Sequence, residues 1–366
     1  MKQAFYLFHT GRLRRKDSTV WFEPLVDETS HADGYDDTLL ASIGDEMTPE
    51  WSLKRSDRNI REKRVIPIEE IDAMWVMTEL CMNNRFFELL SRHQIPLFLV
   101  NYRGNVTGTW WPGQMAGESP VLLNQASSIL KAEQKAYTAS EIQLASVVNM
   151  RQVLRGHRYH GCPFGDSIAM LEAEIEQWDR LPDESARFLA EARCKKEYYT
   201  AIGSLLNPPW TFSGRDRQPP GDPVNAVISW LNTLLYGTVA TEIARAGLHP
   251  GLGYIHSNRV NRQSLALDLA DIFKPILADR LALTLFNRRQ FSPTDFETSP
   301  DKDGVWLNRA ARILVTREWE NRIKTTLLHP VHKRSMNWRQ IIRTDAICLR
   351  HFIDDGSDLQ FFELPV

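Results

Sequence analysis

At 366 residues and 42.2 kDa the chain is long enough to bury a sizeable core, and its length predicts two domains rather than one. Its 44 basic and 46 acidic residues leave a formal charge of -2, which excludes a protein that holds nucleic acid through uniform positive charge; no apolar run reaches membrane-spanning length. The opening apolar run, AFYLF, is too short for a signal-peptide core, so a soluble cytoplasmic protein without membrane contact is expected.

The first elements read as strands. AFYLF, TVWFE, AMWVMTE, PLFLVN and TGTWWP are aromatic and β-branched runs bounded by turn residues, with a further run at Val65-Ile-Pro-Ile. A small β-rich domain is therefore expected over residues 1–112. Between TVWFE and RVIPIEE lies a tract with eight acids from Asp27 to Glu50 and no Lys or Arg, followed by the basic SLKRSDRNIREKR. This block, 27–64, is expected to be a long mobile insert.

After a linker over 113–125 the spacing becomes helical. QASSILKAEQKAYTASEIQLASVVNMRQVL, GDSIAMLEAEIEQWDRL and DESARFLAEARCKKEYYTAIGSLL repeat apolar residues three and four apart, the last two beginning at acidic cap signals. The proline-rich NPPWTFSGRDRQPPGDP breaks the pattern. Helices are then expected in VNAVISWLNTLLYGTVATEIARAG, SLALDLADIFKPILADRLALTLFN, VWLNRAARILVTREWENRIKTTLL and MNWRQIIRTDAICLRHFI. The fold class is thus α+β: a β-rich N-terminal domain and a larger all-α domain over 126–366. The four cysteines, Cys81, Cys162, Cys194 and Cys348, form no CxxC pair and are expected to be reduced thiols. HRYHGC, with His157, His160 and Cys162, lacks a matching second pair for zinc and is expected to be an ordinary polar loop.

One segment is out of keeping with its surroundings. SLALDLADIF is strongly apolar yet carries Asp268 and Asp271 one helical turn apart, shortly after the loop histidine His256. Ser264 is expected to cap this helix, and Asp268 alone reads equally well as compensation of the helix dipole. Asp271, flanked by Ala270, Ile272 and Phe273, demands a partner, because like charges one turn apart repel. Either a lysine or arginine or a divalent cation would resolve this, and His256 could reach the same site. Glu191 is a further candidate, an acid on the stripe formed by Phe188, Leu189, Ala192 and Tyr198; a solvated surface glutamate is the alternative reading. Ten bases against three acids between Trp306 and Arg350 suggest a phosphate-binding track rather than a solvated face.

Nearly the whole chain resembles the CRISPR-associated adaptation integrases, the first-numbered Cas proteins. YLFHTGRLRRKDSTVWFE is similar to their opening hairpin, and RVIPIEEIDAMWVMTELCMNNRFFELLSRHQIPLFLVNYRGNVTGTWWP to the rest of their β domain. DPVNAVISWLNTLLYG, GLGYIHS, SLALDLADIFKPILADRLALTLFNR and SMNWRQIIRTDA follow in the family's order, with wording nearest the type I-B branch. The resemblance implies a metal-dependent DNA endonuclease and integrase that inserts protospacer DNA into a CRISPR array by attack of a 3′-hydroxyl on a phosphodiester. It implies Mg²⁺ or Mn²⁺ held by Glu191 (with Tyr198 seven residues on), His256 and Asp271, with Asp268 as a supporting catalytic acid. Tyr236 matches a tyrosine near the family's active site; Arg259, Arg262, Arg288 and Arg289 are expected to hold DNA together with the basic helices. Double-stranded DNA, a second copy bound through the β domain, and the second-numbered Cas protein are the implied partners. Ala192 stands where the family usually has glycine, and the acidic insert has no counterpart. A metal-dependent repair nuclease and a non-catalytic DNA scaffold are the competing functions.

Overall fold

Alternation and unbroken apolar runs set the N-terminal strands. The computed structural model describes residues 2–24, 64–116, 119–158, 164–216, 219–259, 262–299 and 302–365. Residues 27–63 of the acidic insert, and His160 and Cys162, lie outside the described residues. Contacts divide the chain into one unit of Met1–Tyr102 with Val106–Pro112 and a second of Arg103–Asn105 with Gly113–Val366.

In the first unit β1 (Gln3–Leu7), β2 (Gly11–Lys16), β3 (Thr19–Pro24), β4 (Arg64–Pro67), β5 (Ile71–Val76) and β6 (Leu80–Cys81) precede helix α1 (Asn84–Arg92), followed by β7 (Leu97–Val100) and β8 (Val106–Trp110). One sheet runs β1-β5-β7-β8, with β5 parallel to both neighbours and buried at every position, as a central parallel strand should be. The other runs β4-β3-β2-β6. Leu7, Met74 and Leu97 from the first sheet, Leu13, Val20 and Phe22 from the second, and Phe86, Leu89 and Leu90 from α1 share one core. The strand reading missed β2, whose charges mask buried Leu13, and missed α1. The signal for α1 was present: Asn83 caps it by accepting from the Phe86 N–H, and its buried positions are three and four apart.

The second unit holds α2 (Ser119–Leu130), α3 (Ala132–Arg158), α4 (Gly165–Glu176), α5 (Glu184–Gly203) and α6 (Pro223–Arg245). After these come α7 (Ser264–Phe273), α8 (Arg280–Asn287), a hairpin of β9 (Phe296–Ser299) and β10 (Lys302–Leu307), α9 (Arg309–Lys324), a hairpin of β11 (Thr326–Leu328) and β12 (Ser335–Asn337), and α10 (Trp338–Asp355). Two expectations are corrected. Residues 113–125 are not a linker: a 3-10 turn at Gly113–Ala116 leads into α2, whose Val121, Gln125 and Ser128 form a buried face. The unit is also not purely helical, since the two hairpins interrupt it.

Helix α6 is apolar around its whole circumference and is accordingly the buried centre of the unit. It packs against α7, while the 27-residue α3 covers α7 from elsewhere. Among the described residues no helix is long and apolar enough to cross a membrane.

Candidate active site

The segment expected as one helix from Ser264 to Asn287 is interrupted by π-helical turns at Lys274–Asp279. Pro275 is the cause. It has no N–H to bond four residues back, so the Asp271 carbonyl is released from the helix, and Ser146 Oγ donates to it instead at 3.0 Å. Asn149 Nδ2 likewise donates to the Ile272 carbonyl at 3.0 Å. Helix α3 thereby fixes the backbone that carries Asp271.

Asp268 is fully buried and ties the preceding loop to α7. Its Oδ2 accepts the Tyr254 and Ile255 N–H groups at 2.6 and 3.1 Å; its Oδ1 accepts the His256 N–H at 3.0 Å and pairs with His256 Nδ1 at 2.6 Å. With Nδ1 donating to the carboxylate, the imidazole presents its lone pair at Nε2. The loop comes this close because residue 253 is glycine: a Cβ there would lie 2.6 Å from Asp268 Oδ2 and 2.7 Å from the Ser264 carbonyl carbon. Ser264 does not cap α7 as expected. It is the first helical residue, and its hydroxyl donates to the Ser257 carbonyl at 2.9 Å, holding the same loop. Gln125 clamps the loop upstream, accepting from His249 N and donating to the His249 and Leu252 carbonyls.

On α5, begun by an Asp183 cap, only part of the expected apolar stripe is buried, Tyr198 being 0% exposed. Phe188 and Leu189 are 58% and 59% exposed, whereas Glu191 is 4% exposed, so the surface-glutamate reading falls. Burial is compatible with charge here because Gln143 Nε2 donates to Glu191 Oε2 at 3.2 Å and Lys195 Nζ lies 2.7 Å from Oε1. The lysine approaches outside hydrogen-bond geometry, leaving Oε1 without such a bond. Lys195 Nζ also lies 3.2 Å from Asp271 Oδ2, and Lys274 pairs with Asp271 Oδ1. Burial by itself would raise the Asp271 carboxyl, but Lys195, then Lys274 and His256, outweigh it and hold it below the usual carboxylate range.

The chain thus brings Glu191 and Asp271 together across one ammonium and brings His256 to Asp268. Among the described residues no three of His, Cys, Asp or Glu stand together as a ligand shell, because lysines occupy the carboxylates. The donor chemistry nevertheless fits a hard divalent cation: two buried carboxylates converge on a positive charge, one oxygen lacks a hydrogen bond, and an imidazole within electrostatic reach has its other nitrogen already oriented.

Comparison with known proteins decides the family: the sequence model described as CRISPR associated protein Cas1 matches residues 52–321. The chain belongs to the Cas1 family. A relative from Haloferax volcanii, named CRISPR-associated endonuclease Cas1, is 30% identical over 315 residues, covering 85% of this chain and 94% of its own. A solved Cas1 protein from Thermotoga maritima superposes with a TM-score of 0.76 at 25% identity, each chain covered completely (100%). A casposase bound to its integration product shares the fold, with a TM-score of 0.79 at 15% identity over 100% of this chain and 94% of its own.

Around this Cas1 site the sequence reading missed Lys195, Lys274 and Asp279. Asp279 is 1% exposed, and burial pushes its carboxyl up to about 7 although Arg215, Lys274 and Tyr198 pull the other way. Its signal was the one that exposed Asp271, an acid inside an apolar helix. Tyr236 receives Lys274 Nζ 5.0 Å from its ring centroid. Both line a cavity of about 580 Å³ with Tyr199, Arg215, Trp230 and Arg312.

The basic track is partly corrected. Arg339 is buried against Glu320, Arg343 pairs with Glu242, Arg350 bonds Asp354 and the Ala246 carbonyl, and Arg322 donates to the Ile276 carbonyl. These side chains hold helices together, because an amphipathic helix places some of its charges at its packing seams. Arg259, Arg288, Arg289, Lys333 and Arg334 are exposed, and Arg262 is half-buried.

Proposed function

We propose that this Cas1-family chain is a metal-dependent DNA endonuclease and integrase of CRISPR adaptation in the cytoplasm, joining the 3′-hydroxyl of a protospacer fragment to a phosphodiester at a CRISPR repeat. The observation that carries this reading is the convergence of two buried carboxylates, Glu191 and Asp271, from separate helices onto one positive charge. Glu191, Asp271 and His256 would hold Mg²⁺ or Mn²⁺, which supplies neutralisation of phosphate charge and a lowered pKa for the attacking hydroxyl.

The remaining work falls to the chain's own residues. Asp268 orients the imidazole and fixes its loop; Ser146 and Asn149 hold the backbone of the Asp271 turn. Lys274 pairs with Asp271 and lies over the Tyr236 ring, both lining the cavity. Arg259, Arg262, Arg288 and Arg289, with exposed Lys333 and Arg334, hold duplex phosphates in a salt-sensitive manner. The incoming strand supplies the nucleophile, so no nucleophilic side chain is required. A second copy docked through the N-terminal unit, the second-numbered Cas protein and double-stranded DNA are the proposed partners; the motif wording places the chain nearest the type I-B branch.

An integration assay tests this. With Mn²⁺, a duplex bearing 3′-hydroxyl ends and a repeat-containing target, joined products are expected from the native chain and are lost in Glu191→Ala, His256→Ala and Asp271→Ala. Hydrolysis without joining would point to a repair nuclease, and undiminished joining by all three variants would refute the site.

A further inference from the structure

Lys195 lies where two carboxylates would otherwise repel each other. Four residues after Glu191 on α5, it faces the same side of the helix. Its ammonium is 2.7 Å from Glu191 Oε1 and 3.2 Å from Asp271 Oδ2, so one positive charge bridges two helices. Lys274 sits on the far oxygen of Asp271, and among the described residues no second cation sits on Glu191 Oε1.

We propose that Lys195 is a resident counter-ion that competes with the divalent cation for Glu191 and Asp271. This rests on the metal-site reading above and adds a regulating residue to it. An ammonium 2.7 Å from Glu191 Oε1 and 3.2 Å from Asp271 Oδ2 stands where a cation shared by these two carboxylates would sit, and at such separations the two positive charges repel strongly. Loading therefore requires the Lys195 side chain to swing away. Its 24% side-chain exposure provides a way out that the 0% exposure of Asp268 does not. Lys195 does two things. It holds the carboxylates of α5 and α7 in register before the cation arrives, and it lowers the affinity for that cation, so that occupancy depends on the cation's concentration.

Calorimetric Mn²⁺ titration of the full chain, paired with thermal unfolding, tests the proposal. Lys195→Met removes the charge and keeps the aliphatic stem. It is expected to bind Mn²⁺ at least about tenfold more tightly. Without Mn²⁺ it should melt below the native chain, and saturating Mn²⁺ should restore the loss. Lys195→Arg keeps a bridging cation and is expected to bind within about threefold of native, which separates charge from side-chain shape. Unchanged or weaker binding by Lys195→Met overturns the counter-ion role. Asp271→Asn separates the two readings. If it loses Mn²⁺ binding while Lys195→Met behaves as native, the metal site stands and the counter-ion falls. If Asp271→Asn binds as tightly as native, or native binds no Mn²⁺, both fall.

Discussion

Replacing Asp268 with alanine removes the anchor of the His256 loop. Four hydrogen bonds disappear together, three from the backbone N–H groups of Tyr254, Ile255 and His256 and one from the His256 imidazole. Bonds to a charged acceptor are each worth about 1.5 kcal/mol at the low end, a sum near 6 kcal/mol before any rehydration. Three of the four are only partly buried, so the freed groups regain some hydration and the expected loss is about 4 kcal/mol. Asp268→Asn retains one acceptor oxygen and should lose about half of that. Urea unfolding followed by the helical circular-dichroism signal measures both, because most of the helices belong to the unit that carries α7. For a unit of this size the alanine variant should melt about 10 °C lower. A loss below about 1 kcal/mol for Asp268→Ala would refute the loop-anchor account and leave the aspartate as a dipole partner near the start of α7.

Two further outcomes follow from the same geometry. Asp345 is buried under the C-terminal segment, where its Oδ2 accepts the Phe362 N–H, and burial pushes its carboxyl up to about 8. A carboxyl raised in the folded state contributes stability that is present below pH 4 and is lost as pH rises through about 8, so Asp345→Asn should flatten this decline and be the more stable chain at pH 8, by about 1 kcal/mol or more in urea titrations; equal pH slopes would count against it. Arg339→Ala removes both hydrogen bonds that the guanidinium donates to the buried Glu320 carboxylate, so a loss of about 3 kcal/mol in urea unfolding is expected, with DNA affinity unchanged when both chains are compared folded. A large fall in DNA affinity without loss of stability would return Arg339 to the phosphate track.

Much of this protein was legible in its sequence. Strands with period two, helices with period three to four and the Asp183 cap are local signals, and that cap is used, whereas the acidic signal expected at Gly165-Asp166 provides no side-chain cap: the N-cap there is Phe164 and Asp166 lies in the first turn. The acids Asp268 and Asp271 announced themselves by the cost of burying charge, which composition alone makes visible. Tertiary structure decided the rest. Spacing put Phe188 and Leu189 inside beside Glu191, with a solvated glutamate as the alternative, yet packing exposes both apolar side chains and buries Glu191, whose carboxylate Gln143 and Lys195, 48 and 4 residues distant, compensate. Asp268 became a loop anchor only once residues 254–256 folded over it, and Asp271 met Lys195 only when the helix Glu184–Gly203 packed beside it. A side chain's periodicity is a property of its own segment, whereas the partner that makes its burial tolerable comes from elsewhere in the chain.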